Sequence, residues 1–406
     1  MQDTSLEIKH LLSGSPLRQP LYAVIFGFGL VALLGIGAYN LLWPLYGGAP
    51  RILQTFFIGS VIAVLASVPA IGLVWYLDRR EHESPLLLTA VALWGAGISA
   101  GISSILGTAL YGYFLRLAKQ TGGSVFGMSA ETITSVIAIP IVEEIVKGLA
   151  ILLIFWLLRA DFDDLRDGII YGAMVGLGFN AAQYTVYLLE EFAATGAAPY
   201  FSLSALQFVF LGVNGHFIYS ALLGAGFGWA RQTHDHRFKL LAPIVGLGLA
   251  ILANILANSV GTKVINDTAR ALTGSRLLLA STPALLVWFC TAIGTIASQF
   301  WAYILLGVAV IWSEKWEVET IRKYLFGEIG VSVTPDEYVL IERDVSFKGR
   351  TVPGYPPKIA RAILRSQGEL AFRKWHIEEE GGDAEQDELV LAWRADIERR
   401  RALADK

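Results

Sequence analysis

The stretch Ile139-Pro-Ile-Val-Glu-Glu-Ile-Val-Lys-Gly148 lies inside an apolar run, Ile133 to Leu158, long enough to cross a bilayer. It nevertheless carries Glu143, Glu144 and Lys147 near its middle. An ionised side chain at the centre of a membrane helix costs at least about 2.5–3.5 kcal/mol. Such groups persist where they are paired, hydrated or used in chemistry. Lys147 follows Glu143 by four residues and Glu144 by three, so one carboxylate can be neutralised within the helix. The second carboxylate is left over.

Composition extends this reading to the whole chain. Of 406 residues, 54% are hydrophobic and only 17% charged, which excludes an ordinary soluble enzyme and implies a polytopic membrane protein. A net charge of −3 leaves no electrostatic footprint for nucleic acid. The single cysteine, Cys290, allows no disulfide within one chain. The first 20 residues are polar and lack the pattern of a cleaved signal peptide.

The hydropathy pattern predicts an all-α membrane helix bundle of about eight spans. They cover about 21–45, 52–77, 85–115, 133–158, 168–189, 205–230, 240–261 and 283–312. Three parts are expected: a tail over 1–20, a membrane domain over 21–312, and a charged C-terminal region over 313–406. In the last part, helices are expected over 358–379 and 385–401, split by Gly381-Gly382. They read as a small solvated helical region, with a docking or regulatory module as the alternative.

Short-loop charge suggests the orientation. One face holds nine basic residues: Lys9, Arg18, Arg79, Arg80, Arg159, Arg166, Arg231, Arg237 and Lys239. The other holds six: Arg51, Arg116, Lys119, Lys263, Arg270 and Arg276. The expectation is a multi-pass protein of the cell membrane with both termini in the cytoplasm.

Four spans carry polar groups at a similar level. Glu143, Glu144 and Lys147 are on the fourth, Gln183 on the fifth, His216 on the sixth, and Asn254 on the seventh, one turn before Asn258. Allowing for alternating direction, Glu144, Gln183, His216 and Asn254 lie roughly 10–17 Å from one membrane face. A shared internal site follows. Taken singly, the amides and the histidine also suit plain interhelical hydrogen bonding.

The set has usable chemistry. A carboxylate in a low-dielectric pocket can act as general base toward water. Carboxylates and a neutral imidazole can hold a divalent metal such as zinc, whose bound water is a nucleophile near neutral pH. An Asn or Gln amide can stabilise an oxyanion. These parts suit hydrolysis of an amide bond, and they leave proton-coupled transport open.

Glu143-Glu144-Ile-Val-Lys147 resembles the EExxK motif of the PrsW family of intramembrane proteases, relatives of the CAAX-prenyl endopeptidase-like membrane proteases. Asp167-Gly-Ile-Ile-Tyr-Gly-Ala-Met-Val-Gly-Leu-Gly-Phe179 resembles the family's next segment. His216-Phe-Ile-Tyr-Ser-Ala-Leu-Leu-Gly-Ala-Gly226 is similar to its histidine helix. The likeness covers roughly 133–260. It implies an endopeptidase acting on a single-span or membrane-anchored protein within the lipid bilayer, with Glu143, Glu144, Lys147 and His216 as the catalytic set. His216 and Glu144 would be the ligands of a metal, expected to be zinc.

Two positions depart from the family pattern. The family's FxxxE motif ends here in Gln183, and Asn254 stands where a further histidine is often found, four residues before Asn258. An amide oxygen is a weak metal ligand. The departures therefore raise a second expectation, a non-catalytic pseudoprotease that binds or scaffolds membrane proteins.

Overall fold

In a computed structural model, residues 12–13, 15–46, 51–79, 83–159, 162–202, 205, 212–233, 235–274, 283–345, 351–379 and 381–404 are described. Among them the chain is helical and contains no strand. The main helices are α1 (Pro20–Leu41), α2 (Ile52–Leu77), α3 (Pro85–Gln120), α4 (Ile139–Leu157), α5 (Leu165–Thr195) and α6 (His216–Gln232). They continue as α7 (His236–Gly261), α8 (Thr262–Thr273), α9 (Ala284–Phe326), α10 (Pro335–Glu342), α11 (Pro357–Glu379) and α12 (Glu388–Ala404). Among the described residues, five helices are long and apolar enough to cross a membrane by length and composition: α1, α2, α3, α7 and the stretch Trp288–Phe326 of α9. The chain is a multi-pass membrane helix bundle. Of the helices outside that group, α4 carries Glu143, Glu144 and Lys147, and α6 has only 17 residues.

The buried centre is α5, whose N-terminus is held by a reciprocal cap. Asp164 Oδ1 accepts from the backbone of Arg166 (2.6 Å) and Asp167 (3.0 Å), and Asp167 Oδ2 accepts from the backbone of Asp164 (3.0 Å). The helix ends at Gly196, whose φ of 74° suits a residue without Cβ. Its glycines let neighbours approach to backbone contact. A Cβ on Gly172 would lie 2.0 Å from the Ser220 carbonyl oxygen, and one on Gly176 would lie 1.9 Å from that of His216. The close approach of α5 and α6 therefore depends on small residues at four-residue spacing.

Three helices contain a π-helical turn: Trp94–Ser99 in α3, Thr134–Ala138 just before α4, and Ala257–Gly261 at the end of α7. Pro140 has no N–H to give a preceding carbonyl, so a widened turn immediately upstream is the expected accommodation. The helical run through α4 thus begins at Ala130 and includes the site region without a break.

Two sequence expectations change. The sixth span was expected over 205–230, but its described helix begins only at His216, after Gly212 and Gly215, both with positive φ. His216 stands at a helix N-terminus rather than mid-helix; residues 206–211 lie outside the described residues. The boundary expected at 312/313 falls within α9, which passes through it unbroken.

The two ends of α9 belong to different apolar cores. Leu306, Ala309 and Val310 pack with the membrane helices, whereas Ile321 and Leu325 join a second core with Ile363, Leu370, Phe372, Trp393 and Ile397. Between them α9 is tied to the bundle by buried charge. Arg79 meets Glu314 at 2.5 Å, Arg166 meets Glu317 at 2.6 Å and also pairs with Glu314, and Ser313 donates to Asp164 at 3.2 Å.

Candidate active site

The polar residues expected at one depth do converge. On α4, Glu143 and Glu144 face inward because the helix turns its apolar residues Ile145, Leu149 and Leu152 to the outside. Glu144 and Lys147 are fully buried, and Glu143, His216 and Asn254 nearly so. Lys147 Nζ lies 2.6 Å from both Glu144 Oε1 and His216 Nδ1. It also lies over the Phe179 ring at 4.6 Å. One ammonium thus bridges a carboxylate on α4 and an imidazole on α6, with an aromatic face from α5 below it.

The amides complete the frame. Asn254 Nδ2 lies 2.9 Å from both Glu143 Oε2 and Glu144 Oε1, so it can bridge the two carboxylates. Gln183 Nε2 donates to Glu143 Oε1 at 3.0 Å. Asn258 Nδ2 donates to Asn254 Oδ1 at 2.7 Å and to its backbone oxygen at 3.1 Å. Every residue singled out from the sequence therefore enters one connected network across α4, α5, α6 and α7. Its ion pair is buried. Such a pair is held by its hydrogen bonds against a desolvation cost that can exceed the Coulomb gain.

Three participants escaped the sequence reading. Asn180 accepts from the His216 backbone N–H at 3.2 Å and donates to the Asn214 carbonyl at 2.8 Å, fixing the start of α6. Gln299 on α9 accepts from the Gly215 N–H at 3.3 Å and donates to the Tyr219 hydroxyl at 3.1 Å. Tyr219 stands edge-on to His216 with ring centroids 5.3 Å apart. Gln299 had a usable signal, being a polar residue well inside a span. Asn180 had the same signal, lying inside the fifth span, whereas Tyr219 reads from the sequence as an ordinary aromatic of an apolar helix.

With this geometry in place, the comparison with known proteins can be read. Residues 83–280 match the family model described as PrsW family intramembrane metalloprotease. This region belongs to the PrsW family. The matched region spans α3 through α8 and contains each site residue except Gln299. No curated protein and no solved structure matches the chain.

The PrsW family description implies a metal, and the residues can be tested for it. Glu143, Glu144 and His216 each offer one ligand atom, all within 4.8 Å of one another. Glu144 Oε2 is buried and accepts no hydrogen bond from any described residue. His216 Nε2 faces Glu143 Oε2 at 3.9 Å. Lys147 occupies only the Nδ1 and Oε1 corner. Carboxylates and an imidazole are donor types that zinc takes from protein, but a neutral His216 whose Nδ1 accepts from the Lys147 ammonium carries its proton on Nε2, so the ring can ligate only once that contact is released. Gln183 and Asn254 turn their amide nitrogens to the carboxylates, and the Asn254 oxygen accepts from Asn258, while Gln183 Oε1 has no partner among the described residues.

Proposed function

We propose that the chain is an intramembrane endopeptidase that hydrolyses a membrane-anchored protein at the Glu143/Glu144/His216 cluster. The observation that supports this best is the state of the two carboxylates. They sit side by side in a buried site with one nearby ammonium, and one buried oxygen, Glu144 Oε2, is left without a donor among the described residues. That leaves Glu144 a lone pair for a proton or a metal beside the Glu143 carboxylate. A metal such as zinc, held by Glu144 and by His216 once Lys147 releases its Nδ1, would supply a more acidic water and a polarised scissile carbonyl.

The chain's own groups have distinct roles in this reading. Glu143 is the carboxylate that lines an open groove, so it is the general base. It takes a proton from water as the water oxygen bonds to the scissile carbonyl carbon. The same proton then passes to the leaving nitrogen as the C–N bond breaks. Lys147 neutralises Glu144 and holds His216 through Nδ1, which fixes the ring. With Lys147 charged, Nδ1 is the acceptor and Nε2 points toward Glu143. Asn254 keeps the two carboxylates in register. The Gln183 amide leaves Glu143 with a neutral neighbour where the family pattern has a third carboxylate.

Co-expression with a panel of single-span substrates tests the reading. Cleavage by the wild type, abolished in Glu143→Gln and in His216→Ala with both proteins still folded, is the expected result. A wild type that cuts none of them, with cleavage appearing in Gln183→Glu/Asn254→His, would instead establish a pseudoprotease.

A further inference from the structure

Two cavities flank the carboxylate site, one lined by Glu143 and one by its neighbours His216 and Asn254, and they differ in chemistry. The first, of about 350 Å³, runs between α3, α4 and α5. Its walls include Leu41, Ile139 and Val186, with Ser104 and Thr108 as hydroxyls, and Glu143 and Gln183 at the inner end. The second, of about 120 Å³, lies on the far side of His216, between α6, α7, α8 and α9. It is lined by the amides of Asn180, Asn254, Asn258 and Gln299, the Ser298 hydroxyl and the Tyr219 phenol. Asn254 and His216 separate the two, since both line the second cavity and both reach Glu143 Oε2, at 2.9 and 3.9 Å.

Hydrolysis has two reactants of different character. A peptide segment needs length and apolar surface; water needs several neutral donors and acceptors around a small space. A cavity of about 120 Å³ with such a lining has room for several waters and offers each the hydrogen-bond partners that make buried water stable. It also has a source. Gly261, the last residue of α7, and Ile265 on α8 line it, and the exposed Lys263, Asp267 and Arg270 of the amphipathic α8 suit a membrane–water boundary. Resting on the protease reading above, we infer that the two reactants enter from opposite sides: the peptide through the α3–α5 groove, and the hydrolytic water through the polar cavity behind His216. Asn254 and His216 then form the wall across which water reaches Glu143. In this arrangement a bound peptide does not block the supply of water to its own cleavage.

The test uses the full-length protein in proteoliposomes with a single-span substrate that it cleaves. Ser298→Leu fills the polar cavity from α9 and is expected to lower kcat at least ~10-fold while KM stays within about twofold. Ser104→Phe narrows the groove and is expected to raise KM with kcat retained. Should Ser298→Leu fail to fold, Ser298→Cys in a Cys290→Ser background is folded first and then capped with a water-soluble methanethiosulfonate. The rate should fall on capping and return on reduction. A raised KM with unchanged kcat on filling or capping would assign the cavity to peptide and overturn the inference, as would no change in either. Failure of the reagent to reach Ser298→Cys would overturn it too. A wild type that cleaves no single-span substrate removes the protease reading and this inference together; cleavage indifferent to both fillings removes the inference alone.

Discussion

Glu328 and Glu144 are both buried carboxylates that meet cations, and they are used in opposite ways. Glu328, in the C-terminal core, is saturated. Its Oε1 accepts from Lys374 (2.6 Å) and Arg394 (2.7 Å), and its Oε2 from Ser332 (2.7 Å) and Arg394 (3.0 Å). Glu144, in the membrane core, accepts from Lys147 and Asn254 on Oε1, and from no described residue on Oε2. Beside it Glu143 holds two amide donors and no cation within 3.5 Å, while opening on a groove. A saturated carboxylate is a structural joint. An adjacent pair sharing one ammonium keeps capacity for a proton or a metal. Burial and charge are common to both regions; the number of donors per oxygen distinguishes them.

The largest effect expected from that contrast is on turnover. Glu143→Gln keeps the side chain's shape and, with the Gln183 amide turned so that its unpartnered oxygen accepts, both neighbours, but it removes the base, so cleavage should fall by ~10²–10⁴-fold. Its melting temperature should stay near that of the wild type, because Lys147 remains paired with Glu144. Cleavage assays beside thermal melts separate the two readouts. A Glu143→Gln protein that turns over normally but melts early would make the membrane pair structural and erase the distinction.

Glu328→Gln should give the reverse pattern. It leaves Lys374 and Arg394 facing a neutral group, and breaking such a buried pair costs about 3 kcal/mol. The C-terminal core should loosen, read by hydrogen exchange over α11 and α12, while the rate per folded molecule holds. Acid titrates the same joint. Burial alone would raise the Glu328 pKa, but hydrogen bonds from Arg394, Lys374 and Ser332 overrule it and hold the carboxyl at about 2. A depressed folded pKa contributes stability that is complete above the unfolded value, near 4.5. It is lost as pH falls from there toward about 2. Denaturant melts of the wild type should therefore weaken over that window, and Glu328→Gln should flatten this part of the curve.

The sequence carried much of this, and the losses have physical reasons. The second span matches α2, Ile52–Leu77, at both ends, because an apolar run between polar turns leaves little choice. The convergence of Glu144, Gln183, His216 and Asn254 was legible from depth alone, since helix rise is fixed and lipid penalises stray polar groups. The late start of α6 was missed, although Asn214-Gly215 is a turn signal; its apolar flanks read as continuous span. The π-helical turns were not legible, because they answer to packing and to a missing proline N–H rather than to composition. The C-terminal helices were expected close to α11 and α12, but their shared core with the end of α9 depends on residues far apart in the chain.

The smallest predicted effect tests how finely the membrane site is built. Asn258 touches neither carboxylate, yet its amide donates to both oxygens of Asn254. That leaves Asn254 Nδ2 directed at Glu143 and Glu144. Asn258→Ala removes both bonds; the one to Oδ1, which orients the Asn254 amide, is worth about 1 kcal/mol, so kcat should fall by roughly fivefold with KM unchanged. A purely structural Asn258 would lower the melting temperature and leave kcat per folded molecule alone. Asn258→Asp supplies the sharper arm. It keeps the size but replaces the donor with an acceptor facing Asn254 Oδ1, so it should be worse than alanine. If aspartate instead matches the wild type, Asn254 is held by its contacts with the glutamates alone, and the site reaches no further than the residues touching Glu143 and Glu144.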